Sequence, residues 1–272
     1  MSNDPAPLDL ERPSAGRIYD YLLGGTNNYA IDREFAEQQI ALTPWVRSFA
    51  IANRAFLGRA VGYAIENGVR QFVDLGSGLP TQGNVHEVAD RIAPGEAKVV
   101  YVDNEPIAHA HSRILLEDTA DPERHFAFCG DFFGGKTLWT EIVEQTGLDR
   151  SRPICLLTVA LLHFMPPESD PEATLAYFRE QLPSGSLLVL SHASIDEEDA
   201  RSKAAAGDIT ENYAKKATHQ AHLRTRDEIG TFFGDFEFVD PGLVWLSQWR
   251  PDEPVKGNPA SSGALGGVAR KA

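Results

Sequence analysis

The chain has 272 residues, 42% of them apolar, with 39 Asp and Glu against 25 Lys and Arg, a formal net charge of −14 and two cysteines. That balance excludes a basic grip on nucleic-acid phosphates or on an anionic membrane surface, and two cysteines make no disulfide framework. No stretch approaches the ~18 consecutive apolar residues of a membrane span, and residues 1–9 have no leader pattern, so a globular protein of the cytoplasm is expected.

Residues 1–9, rich in Pro and Asp, read as a loose tail. Residues 10–70 carry no strand pattern. Arg17–Leu23, Asp32–Ala41 and Pro44–Asn67 read as helices, joined by Gly24-Gly25-Thr26-Asn27-Asn28 and Leu42-Thr43. This N-terminal helical layer is expected at or beside the carboxyl edge of the sheet that follows. Residues 71–250 form the core, in which short aliphatic runs alternate with helical stripes. The runs Gln71–Leu75, Lys98–Asp103, His125–Cys129, Ile154–Val159 and Ser186–His192 are nearly continuous in apolar residues, as strands buried on both faces of a parallel sheet are.

Between the runs, Val85, Val88, Ala89 and Ile92 share one helix face, as do Ile107, Ala110, Ile114 and Leu115. Leu138, Ile142 and Val143 form a third stripe, and Leu175, Phe178 and Leu182 a fourth. Such alternation predicts a doubly wound α/β fold. Asp196–Thr218, charged and Ala-rich, reads as an exposed amphipathic helix. Only Asp240-Pro241-Gly242 separates Phe236–Val239 from Leu243–Gln248, too short for a helical crossover, which predicts an antiparallel hairpin at the end of the sheet. Residues 251–272, made of Gly, Pro, Ser and Ala with little to bury, read as a flexible tail.

The chemistry gathers where strands end. Asp74-Leu75-Gly76-Ser77-Gly78 follows the first strand, and its glycines let backbone approach a ligand beside the free N–H groups of the next helix. A plain tight turn is the other reading of a Gly-x-Gly. The third glycine of a dinucleotide fingerprint is absent, which argues against a nicotinamide-dependent oxidoreductase. The second strand ends in Asp103, suited to both hydroxyls of a ribose or to capping the helix that opens at Pro106. The third ends Cys129-Gly130-Asp131, where an acid can meet the exocyclic amine of an adenine. Three successive strands ending in Asp at one sheet edge exceed what turn chemistry asks for.

With these residues in place, the chain resembles the class I S-adenosylmethionine-dependent methyltransferases. Asp74, Gly76 and Gly78 match their acid-x-Gly-x-Gly-x-Gly motif, with Pro80 at the third glycine position. More narrowly it is similar to an actinobacterial S-adenosyl methyltransferase family first catalogued as a domain of unknown function. That likeness rests on Arg17 to Tyr29, Asp74 to Thr81, Ala160-Leu161-Leu162-His163-Phe164 and the stretch from Pro241 to Pro251.

The resemblance implies a Rossmann-like, mostly parallel seven-stranded sheet with an antiparallel last strand, and S-adenosyl-L-methionine as cofactor. The cofactor contacts it implies are Asp74, Gly76, Ser77, Gly78, Asp103, Asn104, Gly130, Asp131 and Ala160. The Gly-rich N-terminal loop would close over the methionine part through Tyr21 and Asn28, with Arg17 toward its carboxylate. A helix C-cap at Gly24 followed by an Asn-rich turn is the alternative there. His163, after the fourth strand, is the candidate catalytic base; a partly buried histidine supporting its turn is the other reading. His192 is a second candidate.

The acceptor is expected to be a small molecule. A non-catalytic module that binds the cofactor to regulate a partner is the alternative function. No metal is expected: His219 and His222 share a helical spacing without further ligands, and His109 and His111 point apart. Cys129 and Cys155, on strands that the family's order keeps apart, are expected as buried free thiols.

Overall fold

The computed structural model describes residues 12–43, 45–80, 83–119, 121–195 and 221–272. The expected tail at 1–9, the expected helix at 196–218 and His219 lie outside the described residues. Three helices come first: α1 (Ala15–Leu22), capped by the Ser14 hydroxyl, α2 (Ala30–Leu42) and the long α3 (Val46–Glu66).

Then strands and helices alternate: β1 (Gln71–Leu75), α4 (Val85–Ile92), β2 (Lys98–Asp103), α5 (Pro106–Thr119), β3 (His125–Cys129), α6 (Gly135–Thr146), β4 (Ile154–Val159), α7 (Pro171–Gln181) and β5 (Leu187–Ala193). The chain ends with α8 (Arg226–Thr231), β6 (Glu237–Phe238), β7 (Val244–Trp245) and β8 (Ala264–Arg270). No helix among the described residues is long and apolar enough to cross a membrane.

The strands form one sheet in the order β3-β2-β1-β4-β5-β8-β6, with β1 to β5 parallel and β8 antiparallel to β5. The period of two divides each strand between two cores. Phe72, Val99, Tyr101, Cys155, Leu157 and Val189 face α3 and α4, joining Phe56, Ala60, Ala64, Val85 and Ala89. Val73, Val100, Leu156, Leu188 and Leu190 face the other way, joining Leu138, Ile142, Leu175, Phe178 and Phe233. The α3 helix is therefore one wall of the main core, while α1 packs with α2 and the start of α3 through Ile18, Leu22, Phe35, Ala36, Val46 and Ala50.

Two expectations are corrected at the end of the chain. Residues 251–272 are not a loose tail throughout: Ala264–Arg270 forms β8, paired with β5 over seven residues and buried along most of its length. The hairpin is also absent. Glu237 and Phe238 pair with Arg270 and Ala269, and Val244 and Trp245 pair with Gly266 and Leu265. Both segments run antiparallel to the same strand, so β6 and β7 are successive parts of one edge, interrupted at residues 240–243, and the count reaches eight strands.

The small residues of β8 read as loop but answer to packing. A Cβ on Gly266 would stand 2.8 Å from Leu246 Cδ2 and 3.0 Å from Phe56 Cζ, and one on Gly267 would stand 3.2 Å from Phe233 Cζ. Cys155 is a buried free thiol as expected, whereas Cys129, at the tip of edge strand β3, is free but exposed.

Candidate active site

A cavity of about 410 Å³ opens along the carboxyl edge of β3, β2, β1 and β4, roofed by α1 and the start of α3. The parallel order brings together residues far apart in sequence. Asp74, Gly76, Ser77 and Gly78 line it after β1, Asp103 and Asn104 after β2, Gly130 and Asp131 after β3, and Ala160 and His163 after β4.

The turn after β1 depends on two left-handed glycines, Gly76 at φ +69° and Gly78 at φ +65°. A Cβ on Gly76 would collide with Leu161, whereas one on Gly78 would have no heavy atom within 4 Å. Asp103 braces this turn. One of its carboxylate oxygens accepts the Gly78 N–H at 2.8 Å and the other accepts the Glu105 N–H at 2.8 Å, so it ties the glycine loop to the approach of α5. Asp131 accepts the Phe133 N–H at 2.8 Å, fixing the turn that carries Phe132 and Phe133 into the cavity lining. Asp103 thus braces the turns on either side of it and caps no N–H of α5 itself, and both Asp103 and Asp131 line the cavity.

Asp74 is buried, and removal from water pushes its carboxyl up to about 7; the Arg54 charge opposes the rise and Asp103 adds to it. Ala160 stands at φ +57°, a conformation that costs a residue with a Cβ of order 1–3 kcal/mol. It is held by bonds from its N–H to the Ser191 hydroxyl at 2.9 Å and the Ser191 carbonyl at 3.2 Å. The Ser191 hydroxyl donates to Asn53 Oδ1 at 2.5 Å, Asn53 Nδ2 donates to the Tyr19 hydroxyl at 3.0 Å, and Tyr19 donates to the Ala50 carbonyl at 3.1 Å. This chain of bonds locks the β4 turn to the helical roof.

His163 lines the cavity, buried, with the Phe164 ring centroid at 4.3 Å and that of Phe49 at 6.0 Å. Burial, with the nearby Arg224 charge, pushes its pKa down to about 3. At pH 7 a proton placed on this ring costs about 5 kcal/mol. The ring is thus held neutral at pH 7, and its burial opposes the uptake of a proton. His192 is wholly buried, its Nε2 meeting Arg224 at 2.8 Å, and Arg224 also donates to the carbonyls of Leu162 and Met165. These two residues hold the β4 turn in place.

Three predicted cofactor contacts lie elsewhere. Arg17 is buried at 1% exposure and engaged: it donates to Asp32 at 2.8 Å and to Glu105 at 3.1 Å, and Glu105 also accepts the Ser14 hydroxyl. Its charge joins α1 and α2 to the head of α5 and does not reach the cavity lining. The Tyr21 hydroxyl donates to Glu37 at 2.6 Å. Asn28 Nδ2 donates to Asp20 at 2.8 Å and to the Gly25 carbonyl at 2.9 Å, folding the Gly-rich loop back onto α1 and away from the cavity lining. What α1 does present to the cavity is its apolar and small face, Ala15, Gly16, Ile18, Tyr19 and Leu22.

Sequence reading missed Asn53 and Arg54, both in the lining. Their signal was a polar pair, Asn53 buried and Arg54 half-buried, set between the apolar pairs Phe49-Ala50 and Phe56-Leu57 of α3. His222 sits outside any helix, and no group of three or more metal-ligating side chains occurs among the described residues.

These features fit the cofactor that the resemblance implies. The open space at Gly78 admits a ligand against bare backbone, two buried polar atoms bordering the cavity, Ser77 Oγ and Arg54 Nε, have no partner, and acids stand at three adjoining strand ends. Asp103 and Asp131 would hold ribose and adenine, and Asp74 the charged amino-acid end.

Comparison with known proteins agrees. The S-adenosyl methyltransferase family profile matches residues 1–272. The crystal structure of a proposed methyltransferase from Thermobifida fusca YX is 35% identical over 99% of both chains, with a TM-score of 0.88. That of a DUF574 family protein from Streptomyces avermitilis MA-4680 is 34% identical over 97% of this chain and 99% of its own, with a TM-score of 0.86. An O-methyltransferase family protein from Burkholderia thailandensis, 13% identical over 83% of this chain and 60% of its own with a TM-score of 0.52, shares the fold alone. No curated protein matches. Motif, sheet order, cavity and family match converge: the chain belongs to the S-adenosyl methyltransferase family and is an S-adenosylmethionine-dependent methyltransferase.

Proposed function

We propose that this methyltransferase acts in the cytoplasm on a small, uncharged and largely apolar acceptor. The observation that carries this reading is the division of the cavity. Its charged lining is Asp74, Asp103, Glu105 and Asp131 at the sheet edge, with Arg54 reaching from α3 to the glycine-loop side. The other side is mainly apolar and carries no charge: Ile18, Leu22, Trp45, Val46 and Phe49 from the roof, with Phe164, Met165, Ala221 and Leu223, beside the neutral polar groups of Tyr19, Asn53 and His163. An acceptor that buries apolar surface there gains about 25 cal/mol per Å², whereas a charged one would be desolvated without a partner.

Bound S-adenosylmethionine supplies a methyl already activated on a sulfonium. The chain's share is then to hold, orient and dry the reactants. Gly76 and Gly78 admit the ligand close to backbone, the acids fix its polar groups, and the α1–α3 roof excludes water. With His163 held neutral, its unpartnered Nδ1 serves to orient an acceptor, and the attacking atom is one that needs no strong base: a heteroaromatic nitrogen, whose lone pair takes the methyl directly, or a hydroxyl acidic enough to pass its proton to water.

The test is release of S-adenosylhomocysteine from S-adenosylmethionine across a panel of neutral heteroaromatics and phenols, set beside carboxylates, phosphates and alkylamines of matched size. Turnover confined to the neutral set is expected, with His163→Gln retaining a tenth or more of it. Turnover only with charged acceptors would reverse the assignment. Tight cofactor binding with no turnover on any acceptor would favour the regulatory alternative.

A further inference from the structure

The acceptor half of the cavity, as read above and on which this inference rests, is bordered by residues 221–225. Ala221 and Leu223 belong to the lining, whereas His222 and Arg224 do not. Arg224 meets Ser194, just past β5, in a parallel bridge. The same segment grips the turn that carries His163. The His222 N–H donates to the His163 carbonyl at 2.6 Å, and the Arg224 guanidinium donates to the carbonyls of Leu162 at 3.0 Å and Met165 at 2.9 Å.

The third partner of the guanidinium is His192 Nε2, at 2.8 Å. That nitrogen is an acceptor, because Nδ1 of the same neutral ring lies 2.6 Å from the Ala193 carbonyl and must donate to it. The His192 ring meets that of His163 edge-on, with centroids 5.6 Å apart. Arg224 is 8% exposed, and no carboxylate oxygen of the described residues stands within 4.0 Å of it. Glu228 acts on it from farther away, and the Phe232 ring centroid lies 5.2 Å from its guanidinium carbon. Apolar packing would fasten a turn without desolvating an ion. What the guanidinium adds is direction: a planar fork that ends on carbonyls to either side of His163 fixes where that ring stands.

We propose that Arg224 is a positioning residue for the methyl acceptor, acting through His163: its fork sets the turn that presents the ring to the acceptor half, and the ring hydrogen-bonds the acceptor. Cofactor binding does not depend on it, since Arg224 touches neither the glycine loop nor the acids of the sheet edge.

The test is calorimetric titration of two neutral probes, phenol and isoquinoline, into protein saturated with S-adenosylhomocysteine. The proteins are the wild type, His163→Phe, Arg224→Met and the double variant. Loss of one hydrogen bond between neutral groups weakens binding roughly threefold to tenfold. Each single variant should bind the tighter probe more weakly by that factor. The double variant should bind it no more weakly than His163→Phe alone, because a residue that acts through another does not add to its loss. S-adenosylhomocysteine affinity should stay within about twofold of wild type throughout. Arg224→Lys should recover part of the loss where His163 is present and none where it is replaced, and it takes the place of Arg224→Met in the cycle if the latter does not melt cooperatively. Losses that multiply in the double variant overturn the inference, as does an equal fall in S-adenosylhomocysteine affinity in Arg224→Lys, which marks a structural role. Unchanged probe affinity in Arg224→Met overturns it too and leaves the acceptor reading standing. A wild type that binds neither probe overturns the acceptor reading itself.

Discussion

Replacing Asp74 with Asn should make the ligand-free protein more stable while weakening its hold on S-adenosylhomocysteine. Asp74 is 7% exposed, and burial pushes its carboxyl from an ordinary 3.8 up to about 7. An acid with a folded pKa above its unfolded one loses folded stability as it ionises. The loss is absent below about pH 3.8, grows to about pH 7 and is constant above. At about 1.36 kcal/mol per pH unit it reaches about 4 kcal/mol, of which about 2 kcal/mol has accrued at pH 5.5.

Charged and titratable groups surround it: Arg54 from α3, Tyr101 and Asp103 from β2, and Cys155 from β4. Burial raises the Tyr101 phenol and the Cys155 thiol, so both stay neutral across this range. Asn keeps the shape without the ionisation. Its advantage over wild type should rise from about 2 kcal/mol at pH 5.5 to about 4 kcal/mol at pH 8.5, at ~2–4 °C of melting temperature per kcal/mol. Thermal melts of the two proteins from pH 5.5 to 8.5, without ligand, read this directly. Histidines depressed by burial, such as His125 at about 4, affect both proteins alike and cancel in the difference. Parallel curves, or a variant less stable at pH 8.5, would refute the reasoning.

Asp103→Ala removes the acceptor for two backbone N–H groups and should cost about 2 kcal/mol of stability. It should also lower S-adenosylhomocysteine affinity at least tenfold, and an unchanged melt with unchanged calorimetry would leave Asp103 without either task. Two glycine substitutions should move stability in opposite directions. Gly58→Ala, in the interior of α3 with nothing within 4 Å of the new Cβ, should gain about 0.5–1 kcal/mol. Gly266→Ala, against Leu246 and Phe56, should lose about 1–3 kcal/mol. Urea titrations showing both changes with the same sign would mean that β8 tolerates side chains its neighbours leave no room for.

Sequence carried the parallel core because β1, β2, β4 and β5 are buried along most of their length, which leaves a mainly apolar run in each, and the half-buried edge strand β3 keeps one in Phe126, Ala127 and Phe128. It carried Asp74, Asp103 and Asp131 to one cavity because a parallel sheet puts every strand's carboxyl end on the same edge. Local pattern failed where partners are remote. Gly266 and Gly267 look like turn residues until Leu246, Phe56 and Phe233 are seen against them. Arg17 and Arg54 are both arginines in N-terminal helices, and only the positions of Asp32 and Glu105 show which of the two is already paired. His163 was found by its place after β4, but its burial, which sets its basicity, is a property of the folded neighbourhood.

The late arrival of β8 gives the order of synthesis a physical weight. β8 opens 71 positions after β5 ends, from Ala193 to Ala264, yet it is the strand that covers β5 along seven residues. At roughly 5–20 residues per second, that interval lasts roughly 4–14 s on a translating ribosome. Throughout it, a mainly apolar strand offers one row of unsatisfied N–H and C=O groups to any other chain, the exposed-edge condition that leads to intermolecular pairing. A chain stalled or clipped anywhere in this interval keeps that edge open, with every residue of the cofactor cavity's sheet edge already made. Translation through Ala264–Arg270 is therefore the step that closes the edge of β5.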